Sequence, residues 1–335
     1  MSIESTSTLR YGAPEKVVSR VKSKTALFWV VVGIPVALTL IAFPILNSTF
    51  FLKNGDAWPV SIQRGLFESS NRKCDILLFG DSSAESSLDP LIIENVTHLS
   101  TCNIAAGGPT FTVLGMDPFD QYLARNPKSR YLILQFAPAN LRSREKRVTD
   151  LDHFEGVIES IRYYGWAQTL PLILRFPDYL IGLDNYIYKS GAREMTLGLF
   201  GKRRLGYSGR PDSYVIYPDP PVSDSCPKST TFLFKQDMPD RGWINHLRQK
   251  YAGAAEHVIV DVSPMSICNP MDSAWQSALT GVTDNELPIY PHNYFADGFH
   301  PTRAGGIRRS QELAQQILKM QDQATESPAK DPGTT

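Results

Sequence analysis

Two short segments carry the residues whose types and spacing could act on an ester. Cys74–Ser87 (CDILLFGDSSAESS) is an apolar run that ends in small polar residues, among them Ser82. Asn293–Gly306 (NYFADGFHPTRAGG) places Asp297 three residues before His300. A serine hydroxyl is a weak nucleophile that needs a base, and an imidazole oriented by a carboxylate can provide one. The two segments therefore predict serine nucleophile chemistry if the fold brings them together.

Each half also has an ordinary structural interpretation. Gly-Asp-Ser is a common turn sequence in which serine caps a helix, and Asp297 could simply form a turn. If a helix begins near Ala84, the unpaired backbone N–H groups around Ser82 would stabilise an oxyanion. Asp81 is expected to cap the helix or to support the site from behind, and not to react itself.

Strand and helix patterns alternate along the chain, which predicts an α/β fold with a central parallel sheet and helices on both faces. Ligands of such sheets bind beyond the carboxyl ends of the strands, where Ser82 would lie. The predicted strands are 75–79, 103–106, 131–136 and 257–262, and the clearest helices are 116–126, 239–253 and 302 to about 320.

Residues 25–52 contain no charged side chain, and residues 1–24 are basic. A helix over 25–50 would be long enough to cross a bilayer. A cleaved signal peptide is less well matched, because its apolar region is shorter and a small-residue cleavage site should follow it. The pattern predicts a single-pass anchor in the inner (plasma) membrane with a cytoplasmic N-terminus, a connector over 51–72 and a main domain that is periplasmic or otherwise extracytoplasmic.

Disulfide bonds persist in such an oxidising compartment. Cys74 and Cys102 each precede an apolar stretch, so they would lie side by side if those stretches are neighbouring parallel strands. Cys226 and Cys268 would form the remaining pair. Spacing alone leaves three pairings open.

Two further parts of the chain do not fit a minimal sheet. Residues 141–230 are rich in aromatic residues and proline, and they form an insertion that either covers the sheet rim as a lid or adds core helices. The tail, 321–335, is low in apolar residues and is expected to be disordered.

Composition excludes some functions. Lys plus Arg and Asp plus Glu both number 34, which gives no argument for nucleic-acid binding. No closely spaced Cys/His set predicts a metal, and no cofactor is expected. One histidine, His292, could approach the site, and His257 is expected to be structural. The remaining histidines lack a spacing that suggests shared metal ligation: His98, His153 and His246. A group of basic residues follows the third strand, and it either attracts an anionic polymer or forms a solvated face: Arg142, Arg144, Lys146 and Arg147.

Four motifs together resemble the SGNH (GDSL-type) hydrolase superfamily: LLFGDSS, NIAAGG, FAPAN and DGFHPT. The resemblance spans roughly residues 73–320 and implies a flavodoxin-like three-layer sandwich. It implies Ser82 as nucleophile, His300 as base and Asp297 as the orienting acid. It also implies an oxyanion hole built from the Ser82 N–H, Gly107 and the Asn140 side chain. The glycine and aspartate that flank the family's asparagine are absent here.

Among SGNH proteins, the chain is most similar to membrane-tethered members that serve envelope polymers, such as alginate O-acetylation proteins and the D-alanyl-transfer protein of teichoic acids. The resemblance implies an O-acyltransferase or esterase that acts on an envelope polysaccharide or acylated glycan. An integral membrane acyl-donor protein is an expected partner. The alternative is a catalytically inactive SGNH-fold protein that binds or assembles components of a polysaccharide system.

Overall fold

The computed structural model describes residues 70–105, 116–141, 239–268, 279–280, 287–297 and 300–326. It also describes positions 24, 26–34, 36–37, 41, 167, 170–171, 214, 216 and 226. The chain divides into two compact units, Met1–Ser48 and Thr49–Thr335, and the α/β domain lies in the second.

The centre of the domain is a four-stranded parallel sheet, which confirms the predicted α/β class. Its strands lie in the order β2-β1-β3-β4. Because β2 and β3 flank β1 on opposite sides, the order in which strands are added to the sheet reverses between β1 and β3. In open α/β sheets, the ligand crevice lies at such a reversal, beyond the carboxyl ends of the two strands. The strands are β1 Ile76–Gly80, β2 Thr101–Asn103, β3 Ser129–Phe136 and β4 Ala255–Val262.

Helices cover both faces of this sheet. The helices are α1 Ser82–Ser87, α2 Pro90–Thr97, α3 Asp117–Arg125, α4 Arg241–Tyr251 and α5 Arg303–Glu326. One 3₁₀ turn, Pro138–Asn140, follows β3. Another, His292–Tyr294, lies just before Asp297 and His300 in the chain.

Side chains alternate along each strand between two cores. In β1, Leu77 and Phe79 pack with α3 and α4, whereas Ile76 and Leu78 pack with α1, α2 and α5. Both sets are fully buried, which explains why strands of a covered parallel sheet appear in the sequence as unbroken apolar runs. The result is three layers, with the sheet in the middle.

Local signals set the helix starts near the sheet rim. The Asp81 side chain accepts from the Ser83 N–H and begins α1, and Asp89 caps α2, where Pro90 follows it. Asp240 caps α4 in the same way. Each carboxylate satisfies a backbone donor that the first helical turn leaves unpaired.

Two predicted boundaries are wrong. The second strand ends at Asn103 instead of spanning 103–106, because the Asn103 side chain accepts from Ala105 N and donates to Leu88 O, which turns the chain off the sheet. The last helix continues to Glu326. The first residues of the predicted tail are therefore helical, and 327–335 lie outside the described residues.

A small second sheet leads into the Asp297 segment. Strands β5 Met265–Ser266 and β6 Ile289–Tyr290 pair in parallel, and the His292–Tyr294 turn follows directly. Phe295 and Pro301 then form an isolated antiparallel bridge around the segment between them. This bridge closes the loop that holds Asp297 and His300.

Both predicted disulfides are present. Cys74 bonds Cys102 with their Cα atoms 5.9 Å apart, at the amino ends of β1 and β2. Cys226, in the insertion, bonds Cys268, just after β5.

The N-terminal residues that the structure describes are helical and apolar, with a π-helical turn at Trp29–Gly33. Large side chains there are exposed, including Leu27, Trp29 and Val31. Among the described residues, no helix has the length and apolar character needed to cross a membrane. Most of the predicted basic segment, anchor and connector lies outside the described residues.

Candidate active site

The two motif segments meet at the carboxyl edge of the sheet. The His300 Nε2 atom lies 2.9 Å from Ser82 Oγ, although the two residues are 218 positions apart. His300 Nδ1 lies 2.7 Å from Asp297 Oδ2. A carboxylate only accepts hydrogen bonds, so Nδ1 must carry a proton, which leaves Nε2 of the neutral ring to accept from the serine hydroxyl. The three side chains thus form one hydrogen-bonded chain.

The turn that holds the histidine is built around Asp297. Its second oxygen, Oδ1, accepts from the His300 backbone N–H at 2.9 Å, and Ala296 N donates to His300 O at 2.9 Å. One carboxylate therefore fixes both the backbone and the ring of His300. The Asp297 side chain is half exposed and that of His300 is 23% exposed, so the pair is open to solvent and to a substrate.

Ser82 occupies the first position of α1, directly after Gly80 and Asp81. At the first helical residue the backbone N–H has no partner within the helix. Gly80 is required by space: a methyl group there would overlap the Gln135 carbonyl oxygen and lie 2.7 Å from the Ala84 side chain. The strand therefore ends on a residue without a side chain, which lets α1 start tight against the sheet.

Asp81 is buried and organises the sheet edge. It accepts four hydrogen bonds, from Ser83 N, Ser83 Oγ, Ala137 N and the Asn140 amide. Two of these donors belong to the backbone, so the carboxylate ties the start of α1 to the turn after β3. Asp81 is the N-cap residue of α1.

Asn140 lies in the 3₁₀ turn after β3, and Asp81 fixes its orientation. Its Nδ2 atom donates to Asp81 Oδ2 at 2.5 Å. An amide NH₂ has two N–H donors, so one is engaged with Asp81 and the second is directed elsewhere. Gly107, the other predicted oxyanion-hole residue, lies outside the described residues.

The remaining histidines of the described ranges have structural contacts. His292 bonds Ser266 Oγ at 3.0 Å instead of joining the site. His257 stacks on Tyr131 as a structural residue, and His246 stacks on Trp243. His98 ends α2 in a left-handed conformation. His153 and the four basic residues after β3 lie outside the described residues.

The described part of the chain contains no group of three or more His, Cys, Asp or Glu residues arranged to hold a metal ion.

Several residues near the site are not predicted from the sequence motifs. Ser83 Oγ, which donates to Asp81, lies 2.5 Å from Ser263 Oγ, beyond the end of β4. Gly305 and Gly306 allow α5 to approach its neighbours, since a methyl group on either would lie within 3 Å of a backbone oxygen, of Tyr294 or Ser86. Paired glycines at a helix start are the one sequence signal that could have indicated this contact.

No family model matches this chain, and no curated protein or solved structure is significantly similar to it. The resemblance to SGNH hydrolases therefore depends on the four motifs.

Proposed function

We propose that the chain is a membrane-tethered serine acyl enzyme with an SGNH-type, flavodoxin-like three-layer fold. It would act on an envelope polysaccharide or acylated glycan, either by O-acyl transfer to it or by hydrolysis of its esters. The observation that carries the proposal is the hydrogen-bonded chain Ser82–His300–Asp297. Its position at the crevice between β1 and β3 agrees with ligand binding at this edge of open α/β sheets.

The proposed reaction has two halves. Ser82 Oγ attacks the acyl carbonyl carbon while its proton moves to His300 Nε2, which forms a tetrahedral oxyanion. The C–O bond to the leaving alcohol then breaks, the alcohol takes the proton from His300, and the acyl group stays on Ser82. In the second half His300 Nε2 takes a proton from water or a glycan hydroxyl, whose oxygen attacks the acyl carbon. The bond between the acyl carbon and Ser82 Oγ then breaks, and Oγ takes the proton back from His300.

Oxyanion stabilisation would come from the Ser82 N–H and the second Asn140 N–H, with Gly107 as the third donor that the family resemblance implies. Asp81 supports this assignment, because its hydrogen bond holds the Asn140 amide in one orientation. Donors that are fixed before the reaction stabilise a developing charge without reorganisation.

The resemblance and the apolar N-terminal segment of the sequence support a location at the inner membrane. A single helix over 25–50 would hold the main domain in the periplasm, close to an integral membrane acyl-donor protein and a nascent polysaccharide. A tether favours an acceptor that is also confined to the envelope, which favours the transferase over the esterase.

The test uses the full chain in detergent with a fluorophosphonate, which reacts with activated serines, and intact-mass detection of the adduct. We expect one adduct in the wild type, none in Ser82→Ala, and a rate lowered by about 10²–10⁴-fold in His300→Ala, because general-base assistance is lost. His292→Ala is the matched control, since this histidine contacts Ser266 and not Ser82.

A folded wild type that forms no adduct would contradict the enzyme and favour the alternative, an inactive binding or assembly protein. Adduct formation by Ser82→Ala would instead remove Ser82 from the mechanism. With an acetyl ester as donor, comparison of acetate release with acetyl transfer to a glycan oligomer then separates esterase from transferase.

A further inference from the structure

The helix of Ser82, α1, touches the segment that contains His300 and α5 at two places. The first contact is the 2.9 Å hydrogen bond between Ser82 and His300. The second lies one turn further along α1, where Gly306 packs so closely that a methyl group on it would lie 2.9 Å from the Ser86 carbonyl oxygen. The two contacts together fix how α1 and α5 lie against each other.

Polar groups fasten the second contact. The Asp89 backbone N–H donates to Ser310 Oγ at 2.8 Å, which ties the start of α2 to α5. Ser310 Oγ also lies 3.2 Å from the Ser87 carbonyl oxygen. Ser87 and Ser310 are completely buried, so water does not compete for these hydrogen bonds.

One residue of the insertion reaches this contact. The Tyr214 side chain is 2% exposed, and its hydroxyl lies 3.1 Å from where a methyl group on Gly306 would be. Burial raises the pKa of Tyr214 above its ordinary value; the Asp89 carboxylate acts in the same direction and Arg303 opposes it. The Tyr214 hydroxyl thus lies beside Gly306, at the point where the first turn of α5 packs on the Ser86 end of α1.

We propose that Tyr214 is a positioning residue, whose buried side chain packs against Gly306 where α5 meets the Ser86 end of α1 and so sets the distance between Ser82 and His300. This inference rests on the proposed function. Because α1 has only six residues, a shift at its Ser86 end is transmitted to Ser82. Misplacement of a catalytic group by about 1 Å can cost about 10²-fold in rate. At this position, the insertion is part of the catalytic framework.

The test measures the rate of fluorophosphonate labelling of Ser82 against pH, per folded molecule, with the full chain in detergent. In the wild type the rate should rise with pH and then level off, as expected for a reaction that a general base assists. Tyr214→Phe keeps the ring and loses only the hydroxyl beside Gly306, so its rate should lie between those of the wild type and of Tyr214→Ala. Tyr214→Ala should label about 10- to 100-fold more slowly at the plateau pH, because the base is misplaced. Its rate should keep rising with hydroxide, because hydroxide then replaces His300.

Tyr131→Ala is the matched control. It removes a similarly buried tyrosine near the amino end of β3, at the sheet edge opposite to Ser82, and should label at the wild-type rate per folded molecule. If Tyr214→Ala does not fold, Tyr214→Leu is judged by the same profile.

The outcomes separate the two proposals. A wild-type rate and an unchanged profile in the folded Tyr214 variant would overturn the positioning role while leaving the enzyme intact. A folded wild type without Ser82-dependent labelling would overturn the proposed function, and this inference with it.

Discussion

At the scale of single residues, the short sequence Gly80-Asp81-Ser82 combines three separate physical requirements. Gly80 leaves space for the Gln135 backbone, Asp81 binds four donors and Ser82 presents its hydroxyl to His300. A buried carboxylate is tolerated only when its oxygens are well supplied with donors, and Asp81 has them. The abrupt end of an apolar strand on small polar residues is therefore explained by the contacts that these residues make.

Asp297→Asn tests the orienting carboxylate. The amide oxygen can still accept from the His300 backbone, so the turn should survive, but the charge that steadies the imidazolium is gone. We expect Ser82 labelling and ester turnover to fall by about 10²–10⁴-fold, with the midpoint of urea unfolding changed little. Asp240→Asn, at the exposed cap of α4, is the control. Unchanged turnover in Asp297→Asn would exclude Asp297 from catalysis.

At the scale of elements, a buried polar network holds α5 on the sheet. Arg309 of α5 donates to Asp261 of β4 and, at 2.9 Å, to Gln135 of β3, and Gln135 donates to Ser87 of α1. Arg309 and Asp261 are almost completely buried, so loss of either partner would leave an uncompensated charge in the core. Gln135 of β3 thus holds both α1, through Ser87, and α5, through Arg309.

Removal of the Cys74–Cys102 bond should lower the stability of the domain without changing the reactivity of Ser82. The bond closes a segment with a sequence separation of 28. On the chain-entropy model, Cys74→Ser with Cys102→Ser should lower the free energy of unfolding by about 3–4 kcal/mol, as measured by urea denaturation.

Labelling of Ser82 per folded molecule should stay at the wild-type rate in that double variant, because the disulfide lies at the amino ends of the strands and Ser82 at the other edge. A large loss of labelling in the folded variant would show that the two edges are coupled.

At the scale of the whole molecule, the apolar N-terminal segment determines the predicted location. Large apolar side chains from Leu27 to Ile41 are exposed in the described part of the segment. Surface of this kind is stable in lipid or against a protein partner. We expect the full chain to stay in the membrane fraction after an alkaline carbonate wash, and a chain lacking residues 1–52 to leave it. Recovery of the full chain in the soluble fraction would contradict the anchor.

Buried tyrosines should make the domain sensitive to alkali. Burial raises the pKa of Tyr251 and of Tyr290, and hydrogen bonds to Asp120 and Glu312 act in the same direction. Above the ordinary pKa of about 10, the unfolded chain loses these protons and the native protein keeps them. The native state then binds more protons, so the free energy of unfolding should fall by about 1.4 kcal/mol per pH unit for each tyrosine.

This loss is measured by urea unfolding from about pH 9 upward, since both states keep their protons below the unfolded pKa. The double variant Tyr251→Phe, Tyr290→Phe should show a shallower slope. An unchanged slope would mean that other groups set the alkaline limit.

The sequence by itself determined the local features of this protein. Apolar runs predicted β1, β3 and β4 and the parallel sheet, and cysteine positions at the strand starts predicted the Cys74–Cys102 bond. Two motifs predicted which side chains could react, and the structure brings Ser82, Asp297 and His300 together. These features were predictable because they depend on hydrophobic periodicity and on short-range turn chemistry.

Contacts between distant segments were decided only by the tertiary structure. His292 bonds Ser266, Asn140 is held by Asp81, and Tyr214 of the insertion reaches Gly306. Asn103 ended its strand early because its side chain bonded the backbone of the α1–α2 turn. Such contacts arise when helices and strands pack at one edge of the sheet. Their geometry depends on close-packed neighbours that no local pattern encodes.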